Sequence, residues 1–331
     1  MAKVQLSIAT WDYDRVRPLI DGRVKVEGCE ITYLPMTVEE CFQRAYLHGE
    51  FDVTELGFSP FLIGRSRGAM EYEAIPVFLS RMFRHSAIYI RKDRGILRPE
   101  DLRGKRVGVP EYQMSAALWA RGMIQDDHGV RPDEMTWIQG GLEVPGRREK
   151  FPLNLPDSFP LEAAPAGRSL SKMLEDGELD AIFSARAPSC FSVHSPSIGR
   201  LFPDYKRAEM DYYRRCGVFP IMHALGLRKT LVERHPWLPV SLYKAFAAAR
   251  DIAEQDLREV AALKTMLPWL GADLEQTEKV MGRNFWTYGV EANAKTLDLM
   301  FRYSYEQGLA VRLMTAEDVF IPSTLDDSIH V

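Results

Sequence analysis

Alternation of apolar and polar side chains over Val4–Thr10 predicts that the chain opens with a β-strand. Residues 30–34 read the same way, and Thr37-Val38-Glu39-Glu40 then supplies a capping box for a helix reaching about Leu47. A third strand is expected over residues 52–56, a helix from Gly57-Phe58-Ser59-Pro60 through Arg65, and a fourth strand over 74–78. Residues 86–91 are strongly strand-like, and 98–109 make a turn and start a new strand. Glu111-Tyr112-Gln113-Met114-Ser115 precedes a helix with Ala117, Leu118, Met123 and Ile124 on its apolar face, and the N–H groups at its start suit an anion. Residues 140–167 are rich in Gly, Pro and charge without a sustained period, which predicts a long loop of the kind that serves as a lid. Further on, 168–174 are helical in pattern and 217–225 form an apolar strand. Residues 238–265 and 275–307 space Tyr243, Phe246, Ile252, Leu297, Met300 and Tyr303 near helical intervals.

One phrase occurs twice. His48-Gly49-Glu50-Phe51-Asp52-Val53-Thr54-Glu55 returns as Asp176-Gly177-Glu178-Leu179-Asp180-Ala181-Ile182-Phe183. Each copy ends a helix at Gly and opens a short apolar run with Asp, so two similar α/β lobes are expected. A length of 331 residues also exceeds one ordinary core. The reading divides the chain into a first lobe over 1–91, a second over 92–216, and a return over 217–331 whose helices cover the first lobe. Open α/β sheets bind ligands beyond the carboxyl ends of their strands, so residues just after Val53 and Phe183 should face each other across a cleft.

Hydrophobic residues make up 46% and charged residues 27%, the balance of a folded chain with a sizeable core. A net charge of -4 gives no general attraction to nucleic acid, so an anionic ligand needs a local basic pocket. No apolar run approaches the roughly 20 residues of a membrane span. No apolar signal region follows Met1, which disfavours secretion. Cys29, Cys41, Cys190 and Cys216 are widely spaced with no C-x-x-C pair, as suits reduced thiols, and a cytoplasmic protein is expected. His48, His128, His194, His235 and His330 show no metal-ligand spacing, and neither G-x-G-x-x-G nor G-x-S-x-G is present.

The order of lobe, crossing strand, Leu102-Arg103-Gly104-Lys105-Arg106-Val107-Gly108-Val109, second lobe, return strand and helical tail resembles the type II periplasmic-binding-protein fold, as does the ending Ala316-Glu317-Asp318-Val319-Phe320-Ile321-Pro322-Ser323-Thr324-Leu325. That fold is α/β and two-lobed, with a cleft between the lobes. A narrower resemblance is to the 4,5-dihydroxyphthalate decarboxylases. It rests on Phe78-Leu79-Ser80-Arg81-Met82-Phe83-Arg84-His85-Ser86-Ala87-Ile88-Tyr89, Gly108-Val109-Pro110-Glu111-Tyr112-Gln113-Met114-Ser115-Ala116, Trp137-Ile138-Gln139-Gly140-Gly141 and Phe219-Pro220-Ile221-Met222-His223. The resemblance implies a carboxy-lyase of phthalate degradation that converts 4,5-dihydroxyphthalate to 3,4-dihydroxybenzoate and carbon dioxide. The alternative is a non-catalytic solute-binding protein for an aromatic acid, which the missing leader disfavours.

Direct loss of an aryl carboxylate would leave a carbanion in the ring plane, out of reach of the π system. Protonating that carbon first is the easier route, driven by ionisation of the hydroxyl para to it. The chemistry calls for an acid, a base and an anion clamp, with no electron-sink cofactor. Arg84 and Arg186 are expected to hold carboxylates from opposite lobes, with Arg81 second. His85 is expected as proton donor and His223 as partner to the phenolic hydroxyl, the two roles being exchangeable. Glu55 is expected to accept from the hydroxyls, with Asp12 and Asp14 as alternatives. Tyr112 and Ser115 should donate to a carboxylate, and Trp11 or Phe58 should stack on the ring. No cofactor is expected, although a divalent metal held by distant residues including His85, His223 and Glu55 stays open. The expected partner is a small aromatic dicarboxylate, with no nucleic acid, no membrane and a homo-oligomeric assembly.

Overall fold

Two β-sheets organise residues 3–326, the part of the chain that the computed structural model describes. In chain order the strands are β1 (Val4–Thr10), β2 (Cys29–Pro35), β3 (Val53–Gly57), β4 (Tyr72–Arg81), β5 (Ile88–Arg91), β6 (Arg106–Val109), β7 (Thr136–Gln139), β8 (Leu161–Ala163), β9 (Ala181–Phe183), β10 (Ile198–Arg200) and β11 (Ile221–Arg228). The first sheet runs β2-β1-β3-β11-β4 and the second β10-β5-β9-β6-β7-β8. The α-helices among them are α1 (Arg17–Ile20), α2 (Val38–His48), α3 (Phe58–Ser66), α4 (Ser115–His128), α5 (Leu170–Asp176) and α6 (Tyr205–Cys216). After β11 come α7 (Lys229–Arg234), α8 (Leu238–Arg258), α9 (Leu270–Met281), α10 (Ala294–Glu306) and α11 (Ala316–Val319).

The repeated phrase does the same work in each lobe. Gly49 and Gly177 close α2 and α5 in the left-handed region, at φ 54° and 81°, where glycine has no Cβ to clash. The Asp that follows ties the next strand to its neighbour. Asp52 Oδ2 accepts from the Ser7 N–H at 2.9 Å and the Ser7 hydroxyl at 2.8 Å, and Asp180 Oδ2 accepts from the Arg106 N–H at 2.9 Å. In both sheets this fixes a parallel neighbour beside the strand that leads to the cleft.

The first crossing falls earlier than residue 91. β5 pairs with β9 and β10 of the second sheet, so the chain changes lobe between Arg81 and Ile88. A strand-like pattern reveals an extended segment but not the sheet it joins. The outgoing and returning segments are bonded to each other, the Met82 N–H donating to the Pro220 carbonyl at 3.1 Å, and Trp119 Nε1 from α4 donates to the Ile221 carbonyl at 2.8 Å. The stretch 140–167 is mostly irregular as expected, but it contains β8, a three-residue edge strand too short to show alternation. α8 packs on α1 and β4, covering the first lobe, whereas α10 also reaches α4 of the second. One apolar core runs from Ile8 and Val53 through Phe58 and Phe78 to Val107, Trp137 and Phe183, so the lobes share buried surface. No helix among the described residues is long and apolar enough to cross a membrane.

Candidate active site

β3 is buried at every position, so a carboxylate on it needs partners for both oxygens. Glu55 has them. Its Oε1 accepts from the Tyr13 hydroxyl at 2.7 Å and faces His223 Nδ1 at 2.6 Å, while Oε2 accepts from the Trp11 N–H at 2.9 Å. β11 lies antiparallel to β3 with His223 opposite Gly57 and Leu225 opposite Glu55, which makes His223 and Glu55 diagonal neighbours on one face. Against β4 the pairing of β11 shifts register on both sides of His223, the kind of irregularity that re-aims a side chain beside a site. Burial alone would raise the Glu55 carboxyl. Electrostatic attraction to His223 and the bonds from His223, Trp11 and Tyr13 outweigh it and hold the group below the usual carboxylate range. Burial and the Glu55 charge push the Tyr13 phenol far up, so it remains a donor. With a carboxylate at Nδ1, His223 carries its proton there and offers Nε2 to the cleft. The Phe42 ring meets the imidazole edge-on at 4.8 Å.

His223 opens into a pocket between the lobes. Gly57 at the end of β3 and Ala185 just after β9 both line it, as the repeated phrase predicts. Arg84 lines it too. Its Nε points at Met222 Sδ at 3.1 Å, and among the described residues no carboxylate lies within ion-pair distance. Burial pushes the Arg84 guanidinium down to about 10, with the Glu209 charge opposing, so it is a cation at neutral pH. The opposite wall comes from the irregular stretch after β7. Arg147 Nε and Lys150 Nζ reach the buried Glu111 carboxylate at 2.7 and 2.6 Å, and all three side chains line the pocket. That wall is fastened at several points. The Glu149 carboxylate accepts from the Tyr112 and Gln113 N–H groups, Gln139 Nε2 donates to the Arg147 carbonyl at 2.7 Å, and the Phe151 ring stands 5.7 Å from Tyr46 on α2. Ser115, the first residue of α4, accepts the Ser59 N–H from α3 at 3.0 Å, bringing two helix N-termini to the pocket floor.

Of the residues singled out from sequence, Arg84, His223 and Ser115 line this pocket and Glu55 stands directly behind His223. The others do not. Arg81 is buried with its guanidinium on the Thr287 and Phe219 carbonyls, at 3.0 and 2.9 Å, which makes it a strut of the crossing. Arg186 is exposed and bidentate with Glu39 of α2, at 2.9 and 2.8 Å, so it bridges the two lobes. Tyr112 is a core ring under the Arg121 guanidinium, 3.7 Å from it, and Trp11 contributes its amide to Glu55 while its indole is exposed. Asp12 and Asp14 pair with Arg17 and Arg15, and Phe58 belongs to the aromatic core. His85 is packed between Phe202 and Tyr212, at 5.0 and 5.4 Å, away from the pocket. Its placement beside a crossing looked the same in sequence as that of His223, because burial is not visible there. Sequence reasoning overlooked Arg147, Lys150 and Tyr13. The charged cluster Arg147-Arg148-Glu149-Lys150 inside an aperiodic stretch was the available signal.

Burial, aided by the His128 and Arg215 charges, pushes the His85 imidazole down to about 4 from 6.5. The folded protein therefore keeps His85 neutral where the unfolded chain takes up a proton. Stability should be complete above about pH 6.5 and fall as pH drops from there toward 4, by up to about 3 kcal/mol. Thermal unfolding at pH 7 and pH 5 should show a larger loss of Tm for wild type than for His85→Phe; equal losses would contradict the assignment.

Among the described residues no group of three or more His, Cys, Asp or Glu side chains is gathered for a metal ion. His85 is not among the residues lining the pocket, and Glu55 already accepts three hydrogen bonds. His330 lies outside the described residues.

Comparison with known proteins bears on both fold and chemistry. The family model described as NMT1/THI5 like matches residues 79–144. Among solved structures, the periplasmic sulfonate-binding protein SsuA from Methylobacillus flagellatus KT superposes with a TM-score of 0.54 at 12% identity, covering 98% of this chain and 93% of that one. SsuA from Escherichia coli gives 0.52 at 12% identity, covering 96% and 97%. These likenesses establish the two-lobed periplasmic-binding-protein-like fold. A 4,5-dihydroxyphthalate decarboxylase from Pseudomonas putida is 46% identical over 214 residues, 65% of this chain and 83% of the relative. Another, from Comamonas testosteroni, is 43% identical over 326 residues, 98% of this chain and 99% of the relative. At that identity over nearly its whole length, the chain belongs to the 4,5-dihydroxyphthalate decarboxylase family.

Proposed function

We propose that the protein is a carboxy-lyase that converts 4,5-dihydroxyphthalate to 3,4-dihydroxybenzoate and carbon dioxide by protonating the ring before the carboxylate leaves. The observation that carries the reading is one pocket with a carboxylate-backed imidazole on the first lobe and a wall of cations facing it. His223 Nε2 takes the proton of the hydroxyl para to the departing carboxylate, and Glu55 balances the imidazolium that forms. Arg84, with Arg147 on the far wall, holds the two carboxylates, supported by the helix N-termini at Ser59 and Ser115. Enclosure between the lobes keeps water from the dearomatised intermediate. The substrate hydroxyl serves as the electron source, so the step needs no electron-sink cofactor. Four free cysteines are in keeping with a cytoplasmic setting.

Purified protein mixed with 4,5-dihydroxyphthalate should release one carbon dioxide per 3,4-dihydroxybenzoate formed, at the same rate with and without a chelator. Binding without turnover would favour a solute-binding protein instead, and a rate abolished by the chelator would replace the metal-free route.

A further inference from the structure

The decarboxylation proposed above needs two proton-handling groups at opposite ends of one ring, because the ionising hydroxyl and the carbon that loses its carboxylate are para to each other. His223 is committed to the hydroxyl end by its fixed bond to Glu55, and one imidazole cannot serve both ends. His85, expected to be the second group, faces Phe202 and Tyr212 instead of the pocket. The acid must come from the other side chains that line the cleft.

Most of these are unsuited. Both Glu111 oxygens accept from cations, at 2.7 and 2.6 Å, and both Glu39 oxygens accept from Arg186, at 2.9 and 2.8 Å. The Ser115 hydroxyl oxygen is engaged by the Ser59 N–H. Guanidinium groups hold carboxylates well but part with protons reluctantly. Lys150 differs. An ammonium group has three donors, of which Glu111 engages one at 2.6 Å, and lysine amines are regular participants in proton transfer. Its Nζ lies 6.0 Å from the centre of the Phe42 ring, the same ring that meets the His223 imidazole at 4.8 Å, so the two groups, one from each lobe, share Phe42 as a neighbour. Lys150 and Glu111 also border a second groove, lined by Gln43, Tyr46, Leu47 and Arg148, on the outer side of the wall. A proton given up inside the cleft can thus be replaced from outside.

We infer that Lys150 is the acid that protonates the ring carbon bearing the departing carboxylate, with Glu111 positioning its ammonium group. This rests on the decarboxylase reading and adds a residue to it. His223 removes the hydroxyl proton and the ring gains electron density at the para carbon. A Lys150 N–H bond breaks as the new C–H bond forms from the ring π pair. The bond to the carboxylate then breaks, its electron pair restores aromaticity, carbon dioxide leaves, and the phenolate oxygen recovers its proton from His223. Each turnover consumes one proton, which Lys150 regains from solvent.

The full-length Lys150→Arg protein keeps the positive charge and removes the acid. It should bind 4,5-dihydroxyphthalate within about threefold of wild type by calorimetry and lose about 100-fold in kcat, inside the usual range for removing a general acid. Lys150→Ala should regain at least tenfold of its lost kcat on addition of methylamine, a rescue that a purely structural role would not give. In D₂O, wild type should exchange the product ring hydrogen para to the 3-hydroxyl, and Lys150→Arg should slow this by about the same factor as kcat. Turnover by Lys150→Arg within threefold of wild type, or a change confined to KM, would overturn the assignment while leaving the decarboxylase reading intact. If wild type releases no carbon dioxide from 4,5-dihydroxyphthalate, both fall together.

Discussion

Replacing His223 with Asn should lower kcat for 4,5-dihydroxyphthalate by about 10²–10⁴-fold and change KM by no more than a few-fold. The split follows from the geometry. His223 lies on a central strand, tied at Nδ1 to a fully buried carboxylate, so its exposed nitrogen acts on the hydroxyl as charge develops and contributes little to ground-state binding. Glu55→Gln tests the same device from behind. It retains a hydrogen-bonding side chain but removes the negative charge that balances the imidazolium, and should cost kcat a factor of the same order. Steady-state kinetics on both variants, with the double variant to show that the losses do not add, is the required measurement. Normal turnover in His223→Asn would remove the imidazole from the reaction.

Arg84→Met should produce the second large effect, and in two directions. Activity should fall by about 10²–10³ in kcat/KM, since a buried guanidinium that meets a substrate carboxylate is worth roughly 3–4 kcal/mol when its removal leaves that carboxylate unpaired. Stability should hold or rise. Arg84 is buried with a thioether for its nearest partner and no paired carboxylate among the described residues, an arrangement that costs the empty enzyme free energy. A Tm equal to or above that of wild type together with the kinetic loss identifies a residue kept for ligand binding. Unchanged kinetics would assign Arg84 to the framework instead.

The contrast between Arg81 and Arg84 shows what sequence can and cannot reveal here. Three positions apart in one segment, they look alike in sequence, yet one is pinned by backbone carbonyls and the other opens on the pocket. The difference lies in the side of the crossing that each side chain takes, which depends on how β4 and β11 pair. Local signals did better. The Gly of the repeated phrase acts over a few residues, so the phrase located the helix ends, the strands that follow and the cleft correctly. The pairing of Glu55 with His223 joins residues far apart in the chain through strand register, and sequence could propose both without placing them in contact. Arg147 and Lys150 escaped because an aperiodic stretch has no face to assign them to. Only its fastening to Glu111, Gln113 and Tyr46 makes that stretch a wall of the site.

The position of β11 has a consequence for biosynthesis. It fills the place between β3 and β4 in the first sheet, yet it begins only at residue 221 of 331. As the chain leaves the ribosome, β1, β2 and β3 can assemble early, but one edge each of β3 and β4 stays unpaired until the whole second lobe has been translated. The nascent first half therefore carries open strand edges of the kind prone to mispairing. His223 arrives on the very strand that closes the gap, so a prematurely terminated product lacks both a finished sheet and the imidazole.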